Sequence, residues 1–538
     1  MLAPAGHART APAAGPPPGE PAPSGAPSAG GTATGDAVER GGPISRGLPS
    51  LGDAGEMTAL EERKLGDAII RELYRDPDYI DDPVVGEYVD GLWRRLLVAA
   101  RARGELPPEL DERFAWEVLL GRDRSVNAFA LPGGYVGVHL GLIALTGSRD
   151  ELAAVLAHEL SHVTQRHIAR GITNSKRQSL IGLAAMIIGV IAASRANSTD
   201  GVAAVVTGGQ AASIQGQLNF SRDMEREADR IGFAVLTGAG FSPGGMAAMF
   251  EKLDQSSRLN DSGGYPYLRS HPLTTERIGE ARARMGTATA RAAPGPGGTG
   301  FEHALAQARS RVLMDTRVDA LRRWQALDAT RPDLTTAQRL SDAYSSALAS
   351  ILLRDADRAD AAIVRAQAVL ADVARPEARA ARWVTLLKAQ AQLARGDAAG
   401  AAASLKSLTA DASRPVMLMS ADLALAGAAG PGGELALKRS AEDLQTRVAA
   451  KPGDVLAWSL LARTWAKLGQ PLRSLRAEGE AQYAMGDLRG AIDRLRAGQR
   501  LAQGGGATDF IESSVIDSRL RDLQAQQRAL AAEERESR

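Results

Sequence analysis

The sequence predicts a mostly helical α+β domain with a small sheet, followed by an all-α domain of tetratricopeptide-like repeats. Three observations predict it. Apolar residues recur at three- and four-residue intervals over most of the chain, as amphipathic helices require. Between residues 113 and 140 that period gives way to short β-rich runs broken by Gly and Pro. Beyond a Gly/Pro-rich stretch at 286–300 the chain is almost wholly helical and rich in Ala, Leu and Arg, with a spaced Trp/Leu/Gly pattern. At 538 residues the chain exceeds what one compact core usually serves.

Taken in order, residues 1–50 are dominated by Ala, Pro, Gly, Ser and Thr. Such a stretch buries too little apolar surface to offset its ordering entropy, so a disordered tail is expected. It lacks the apolar core of a secretory signal. A domain is expected over 51–285. Within it, MTALEERKLGDAIIRELYRD and PVVGEYVDGLWRRLLVAARARG read as helices. RFAWEVLL, NAFALPG and GYVGVHLG read as strands. Helical pattern returns at 149–170 and at 220–240. Between these, the apolar run LIGLAAMIIGVIAA (180–193) is shorter than the ~20 residues a membrane-spanning helix needs. A buried helix or a cover over a cleft is expected there, and no transmembrane span. Residues 286–300 read as a linker, and 301–538 as the repeat domain. There, Trp458, Leu461, Ala462, Trp465, Leu468 and Gly469 fall at tetratricopeptide spacing. Residues 381–405 are a looser copy, and 481–498 repeat the Gly-Asp turn.

Lys plus Arg (64) balances Asp plus Glu (63), so no electrostatic footprint for nucleic acid is present. The chain has no cysteine, which excludes disulfides and thiolate metal sites. Any zinc site must therefore use His and carboxylate. Of seven histidines, three lie between 158 and 167.

Two of those three open and close the run His158-Glu159-Leu160-Ser161-His162. On an α-helix, positions i and i+4 share a face, so both imidazoles reach one metal. Glu159 lies about a quarter-turn away, placed to take a proton from metal-activated water without being a ligand. A catalytic zinc needs a third protein ligand. His167, five residues on, falls about 140° round a continuing helix from His162. It is expected to be structural or a hydrogen-bonding neighbour. FSRDMEREADRIG (220–232) places Glu225 and Asp229 at i and i+4. Glu225 could ligate while Asp229 holds a ligand histidine, but Glu227 competes and spacing does not choose. His271, before a proline at a helix entry, is equally compatible with an oxyanion donor, an occupant of the open metal position, or a plain helix-entry residue.

The run HELSH, then SR-x-x-E-x-E-A-D-R, then SHPL-x-x-ERI, in this order, resembles the gluzincin zinc metallopeptidases that include HtpX and the CAAX prenyl protease. SVNAFALPGGYVGVHLGL is similar to their edge-strand region. The resemblance covers about 48–285 and implies a zincin-like metalloprotease fold. It implies one Zn²⁺ held by His158, His162 and Glu225, with Glu159 as general base. Asp229 takes a supporting role beside a ligand, and His271 a regulatory or transition-state role, with Arg277 positioning its loop. The edge strand implies substrate docking at Asn127, Ala128 and Phe129 as an added strand. A soluble protease domain followed by repeats is similar to periplasmic members of that family. These imply zinc-dependent endopeptidase action on unfolded or misassembled proteins. Their partners would be outer-membrane β-barrel proteins and their assembly machinery, reached through the repeats. The competing expectation is a chaperone or assembly scaffold with little proteolysis.

Overall fold

A computed structural model of the chain describes residues 57–172, 188, 221–259, 266–289, 300–328, 333–374, 377–503 and 510–536. The expected tail at 1–50, the run 180–193 apart from Ile188, and residues 290–299 of the linker lie outside the described residues.

Two capped helices open the fold. α1 (Ala59–Leu73) starts at a capping box between Thr58 and Glu61. α2 (Pro83–Ala102) starts at Asp82, whose carboxylate accepts from the Val84 and Val85 amides, with Pro at the first helical position. The short α3 (Pro108–Arg113) leads into the sheet.

The sheet has three strands, β1 (Glu117–Gly121), β2 (Ala128–Leu131) and β3 (Tyr135–His139). Their order is β1-β3-β2, with β1 parallel and β2 antiparallel to β3. β3 is central and buried at every residue, while β2 forms an edge among the described residues. The Asn127 carbonyl accepts from the His139 amide, so odd-numbered residues of β2 face β3 through their backbone. The backbones of Ala128 and Ala130 face the other way. Gly137 lies opposite Phe129, and a Cβ there would come within 2.3 Å of the Phe129 ring. Only glycine lets that ring lie across the sheet at this point.

After α4 (Leu140–Leu145), α5 (Arg149–Thr164) begins at a Ser148 cap and runs through the interior. Every residue from Glu151 to Thr164 is buried. The helical pattern expected over 149–170 is in fact two helices. α5 stops at Thr164, Arg166 adopts φ +52°, and α6 (His167–Ile172) sets off in a new direction. A non-glycine residue in the left-handed region carries strain. Arg166 is held there by Glu62, 2.8 Å from its Nε, and by the Met57 carbonyl.

α7 (Arg222–Gly238) crosses close against α5. At the crossing, a Cβ on Gly232 would lie 3.1 Å from the Ala157 carbonyl and the His158 amide. The glycine thus permits the backbone approach that brings α7 side chains to the His158 turn. α8 (Gly244–Leu259), α9 (Tyr267–Ser270) and α10 (Thr275–Thr289) complete this half.

The rest is helical: α11 (Phe301–Leu313), α12 (Val318–Gln325), α13 (Thr336–Leu352), α14 (Ala356–Ala371), α15 (Ala378–Ala394) and α16 (Ala398–Leu405). α17 (Arg414–Ala426), α18 (Gly433–Ala450), α19 (Val455–Lys467), α20 (Pro471–Ala484), α21 (Leu488–Gln503) and α22 (Phe510–Glu536) follow. Gly396, Gly469 and Gly486 turn the chain with φ between +69° and +83°, Gly396 and Gly486 at Gly-Asp turns and Gly469 at its place in the tetratricopeptide spacing.

The described residues all fall within one compact unit. A single apolar cluster runs from Ala59 on α1 to Val416 on α17. Arginines from the helical array reach the start of α2. Arg309 forms a forked pair with Asp82 (2.7–2.9 Å), Arg382 meets Glu87 (2.6 Å) and Arg414 bridges Asp81 and Asp454 (2.6–2.8 Å).

Candidate metal centre

α5 carries His158 and His162 one turn apart, and their Nε2 atoms converge to 3.0 Å. α7 brings Glu225, whose carboxylate lies 3.5 Å from His158 Nε2 and 3.4 Å from His162 Nε2. The loop after α9 brings His271, with Nδ1 3.3 Å from His158 Nε2 and 2.9 Å from Glu225 Oε1. One donor atom from each of these four buried residues falls within 4.8 Å of all the others. A tetrahedral ion with bonds of ~2.0–2.1 Å separates its ligands by roughly 3.3–3.4 Å. The observed spacing of 2.9–3.5 Å fits that cage. Two or three imidazoles and one carboxylate form a donor set suited to zinc. Among the described residues this is the single such cluster.

The surrounding shell follows from the same helices. His158 Nδ1 lies 3.0 Å from Asp229 Oδ1, one turn beyond Glu225 on α7. Arg277 on α10 grips Asp229 in a fork (2.7 and 2.9 Å), lies 2.8 Å from Glu225, and donates to the Pro272 carbonyl next to His271 (2.9 Å). It thereby ties the His271 loop to α7. His167 Nδ1 lies 2.9 Å from His162 Nδ1, and its Nε2 lies 3.0 Å from Glu227. Of the two competing glutamates, Glu225 joins the cluster and Glu227 joins His167. His167 reaches His162 because α5 ends before it. The helical projection over 149–170 assumed an unbroken helix and could not show this.

The electrostatics follow the packing. Burial opposes the charged form of His158, but Asp229 and Glu225 beside it outweigh that and hold its pKa up to about 10. Burial and the neighbouring His158 and His271 push His162 well below its ordinary value. Burial works against ionisation of Glu225, yet His271 and His158 hold it well below the usual carboxylate range. Asp229 is likewise lowered against burial by Arg277 and His158.

Glu159 is wholly buried, and neither of its oxygens has a hydrogen-bond partner among the described residues. His271 Nε2 stands 3.5 Å from it. Tyr267 was not singled out from the sequence. Its ring stacks on His271 at 4.6 Å, and its buried hydroxyl also lacks a partner among the described residues. Burial, then the Glu159 charge, raise its pKa well above the ordinary value. The one signal that could have found it is its position one turn before His271. Asn127 is buried with its backbone carbonyl spent on β3, and its side-chain Oδ1 has no partner among the described residues. Phe129 pairs inward through its backbone, and Ala128 alone of the three expected docking residues turns its backbone to the edge.

Residues 94–285 match the sequence profile of peptidase family M48. The chain carries a peptidase family M48 domain. It is 34% identical over 239 residues to the beta-barrel assembly-enhancing protease of Escherichia coli (strain K12), covering 44% of this chain and 47% of that one. The chain thus spans about half the length of that curated relative. It is 29% identical over 498 residues to the beta-barrel assembly-enhancing protease of Yersinia pestis, covering 90% and 95%. It is 29% identical over 200 residues to the mitochondrial metalloendopeptidase OMA1 of Saccharomyces cerevisiae, covering 35% and 53%. The described residues thus form a helical M48 domain built round a small sheet, with a His/Glu cluster that could hold a metal ion, and a helical C-terminal region. No described helix is long and apolar enough to cross a membrane.

Proposed function

We propose that the chain is a zinc-dependent endopeptidase acting on unfolded or misassembled proteins in outer-membrane protein quality control. One observation carries it: Glu159, a buried carboxylate without a hydrogen-bond partner among the described residues, lies beside the four-donor cluster of an M48 domain. Such a group costs stability, so its presence calls for a chemical use. A purely structural metal site has no use for it.

In this reading, His158, His162 and Glu225 would hold a zinc ion, which would supply Lewis acidity for the scissile carbonyl and for water. Glu159 takes the proton from the attacking water and returns it to the leaving amine as the C–N bond breaks. Asp229, pinned by Arg277, orients His158. The outward backbone of Ala128 and Ala130 on edge strand β2 pairs with an extended substrate. Folded proteins do not offer such a strand, so the choice of unfolded chains follows from the docking mode. His271 Nδ1 stands where a fourth ligand would be, so the form seen here is latent until the loop after α9 withdraws.

The division into a protease domain over 51–285 and tetratricopeptide-like repeats over 301–538 belongs to the same reading. The repeats hold clients or assembly partners near the site and raise their effective concentration. The names of the relatives in Escherichia coli and Yersinia pestis support β-barrel assembly as the process served; outer-membrane β-barrel proteins as those partners, and the periplasm as the compartment, are part of the proposal.

The test is Glu159→Gln. The variant should bind one zinc per chain as the wild type does, yet lose about 10²–10⁴-fold in hydrolysis of unfolded casein, the usual worth of a general base. Wild-type digestion by the variant would leave Glu159 without its role and the mechanism without a base.

A further inference from the structure

The two ligand histidines of α5 differ in what stands behind them. Behind His158 is a carboxylate, Asp229, held by Arg277. Behind His162 is another imidazole, His167, then a carboxylate, Glu227, then Arg170 at 3.1 Å. Both lines end on a carboxylate held by an arginine, but the second has one more link. It is assembled from three elements. α5 supplies His162, the Arg166 reversal turns His167 back toward it at the start of α6, and α7 supplies Glu227.

We propose that His167 and Glu227 are positioning residues that fix the protonation geometry of His162 for metal binding. For His162 to ligate through Nε2 as a neutral ring, its single proton must sit on Nδ1. That Nδ1 is 2.9 Å from His167 Nδ1, so His167 must accept there. A neutral His167 accepting at Nδ1 carries its own proton on Nε2, which donates to Glu227 Oε2 at 3.0 Å. Arg170 donates to the same oxygen and keeps the carboxylate ionised. Each assignment forces the next, and the chain has one consistent polarity, from ligand outward to charge. His167 is fully buried, so any other ring state would leave a donor facing a donor at the His162 contact.

The proposal rests on the reading of the four-donor cluster as a metal site, and its test keeps the two apart. Zinc affinity of the apo protein is measured by competition with a chromophoric chelator, and ring tautomers by long-range ¹H–¹⁵N correlation on histidine-labelled zinc-loaded protein. The wild type should show His162 protonated on Nδ1 and His167 on Nε2. His167→Leu should lower zinc affinity by about 10–100-fold, the usual cost of losing such an outer partner. His167→Gln, which keeps one acceptor and one donor, should restore most of it. Glu227→Ala, at a partly exposed position, should weaken binding in the same direction by a smaller factor and scramble the His167 tautomer. Wild-type zinc affinity in both His167→Leu and Glu227→Ala would overturn the proposal, as would His162 protonated on Nε2 in the wild type. Failure of the wild type to bind zinc would instead overturn the metal site itself.

Discussion

At the scale of single residues, the site turns on what occupies the fourth donor position. His271 Nδ1 stands 2.9 Å from Glu225 and 3.3 Å from His158 Nε2, inside the cage and not at its rim. Its substitution therefore has an expected sign. His271→Ala leaves His158, His162 and Glu225 to hold the metal, so zinc stays bound. If about a tenth of the molecules are open at rest, removing the block raises casein hydrolysis about tenfold. A large loss with zinc intact would assign His271 to the transition state instead. Much of this residue-level picture was legible beforehand. The pair His158 and His162 follows from helix periodicity alone, because i and i+4 always share a face. Glu225 against Glu227 was not legible from spacing, since both lie on one turn of α7. The choice depends on how α7 is rotated against α5, and the close approach at Gly232 sets that. Tyr267 went unread because its one signal, a position one turn before His271, takes on meaning only when the two rings are seen to stack.

At the scale of elements, the edge of the sheet carries the substrate hypothesis. NAFALPG and GYVGVHLG were readable as strands from their β-rich composition and Gly/Pro boundaries, and both formed within a residue or two of expectation. Their pairing order was not readable. The parallel β1–β3 pair places β3 in the middle and leaves β2 outermost, a consequence of burial that no local pattern encodes. The break between α5 and α6 was also missed, because Arg166 in the left-handed region has no sequence mark such as Gly or Asn. The sheet edge yields a test. Ala130 turns its amide away from β3, so proline there removes an outward donor without breaking the ladder. Ala130→Pro should keep zinc binding and the thermal transition, while kcat/KM for an unfolded substrate falls roughly three- to tenfold, the worth of one hydrogen bond. The fall should appear mainly in KM. Unchanged KM would place the substrate elsewhere.

At the scale of the whole molecule, the helical array is not tethered loosely to the metal-binding half but buried against it, and one histidine sits in the seam. His303 on α11 places Nδ1 2.7 Å from the Tyr88 hydroxyl of α2 and Nε2 2.9 Å from the Thr146 carbonyl after α4. The carbonyl can only accept, so Nε2 donates to it, and Nδ1 must accept from Tyr88. The neutral ring satisfies both partners. A second proton on Nδ1 would make the Tyr88 oxygen accept instead, turning its own buried O–H away from its partner. Burial accordingly lowers the His303 pKa below 6.5, with the Thr146 carbonyl and Glu151 pulling the other way and Lys252 and Arg311 adding to the lowering. The unfolded chain takes up the proton first as pH falls, so the contribution of His303 is complete above pH 6.5. It declines as pH drops from there toward the folded pKa. Within that window the slope from this one group approaches ~1.4 kcal/mol per pH unit. Urea unfolding of the metal-free protein between pH 7.5 and 5 measures it. His303→Gln, whose amide still accepts from Tyr88 and donates to Thr146 but cannot titrate, should flatten the curve relative to wild type. The difference between the two isolates His303 from the other histidines. Parallel curves would mean that protonation at this seam costs the fold nothing and that the two halves are held by Arg309, Arg382 and Arg414 instead.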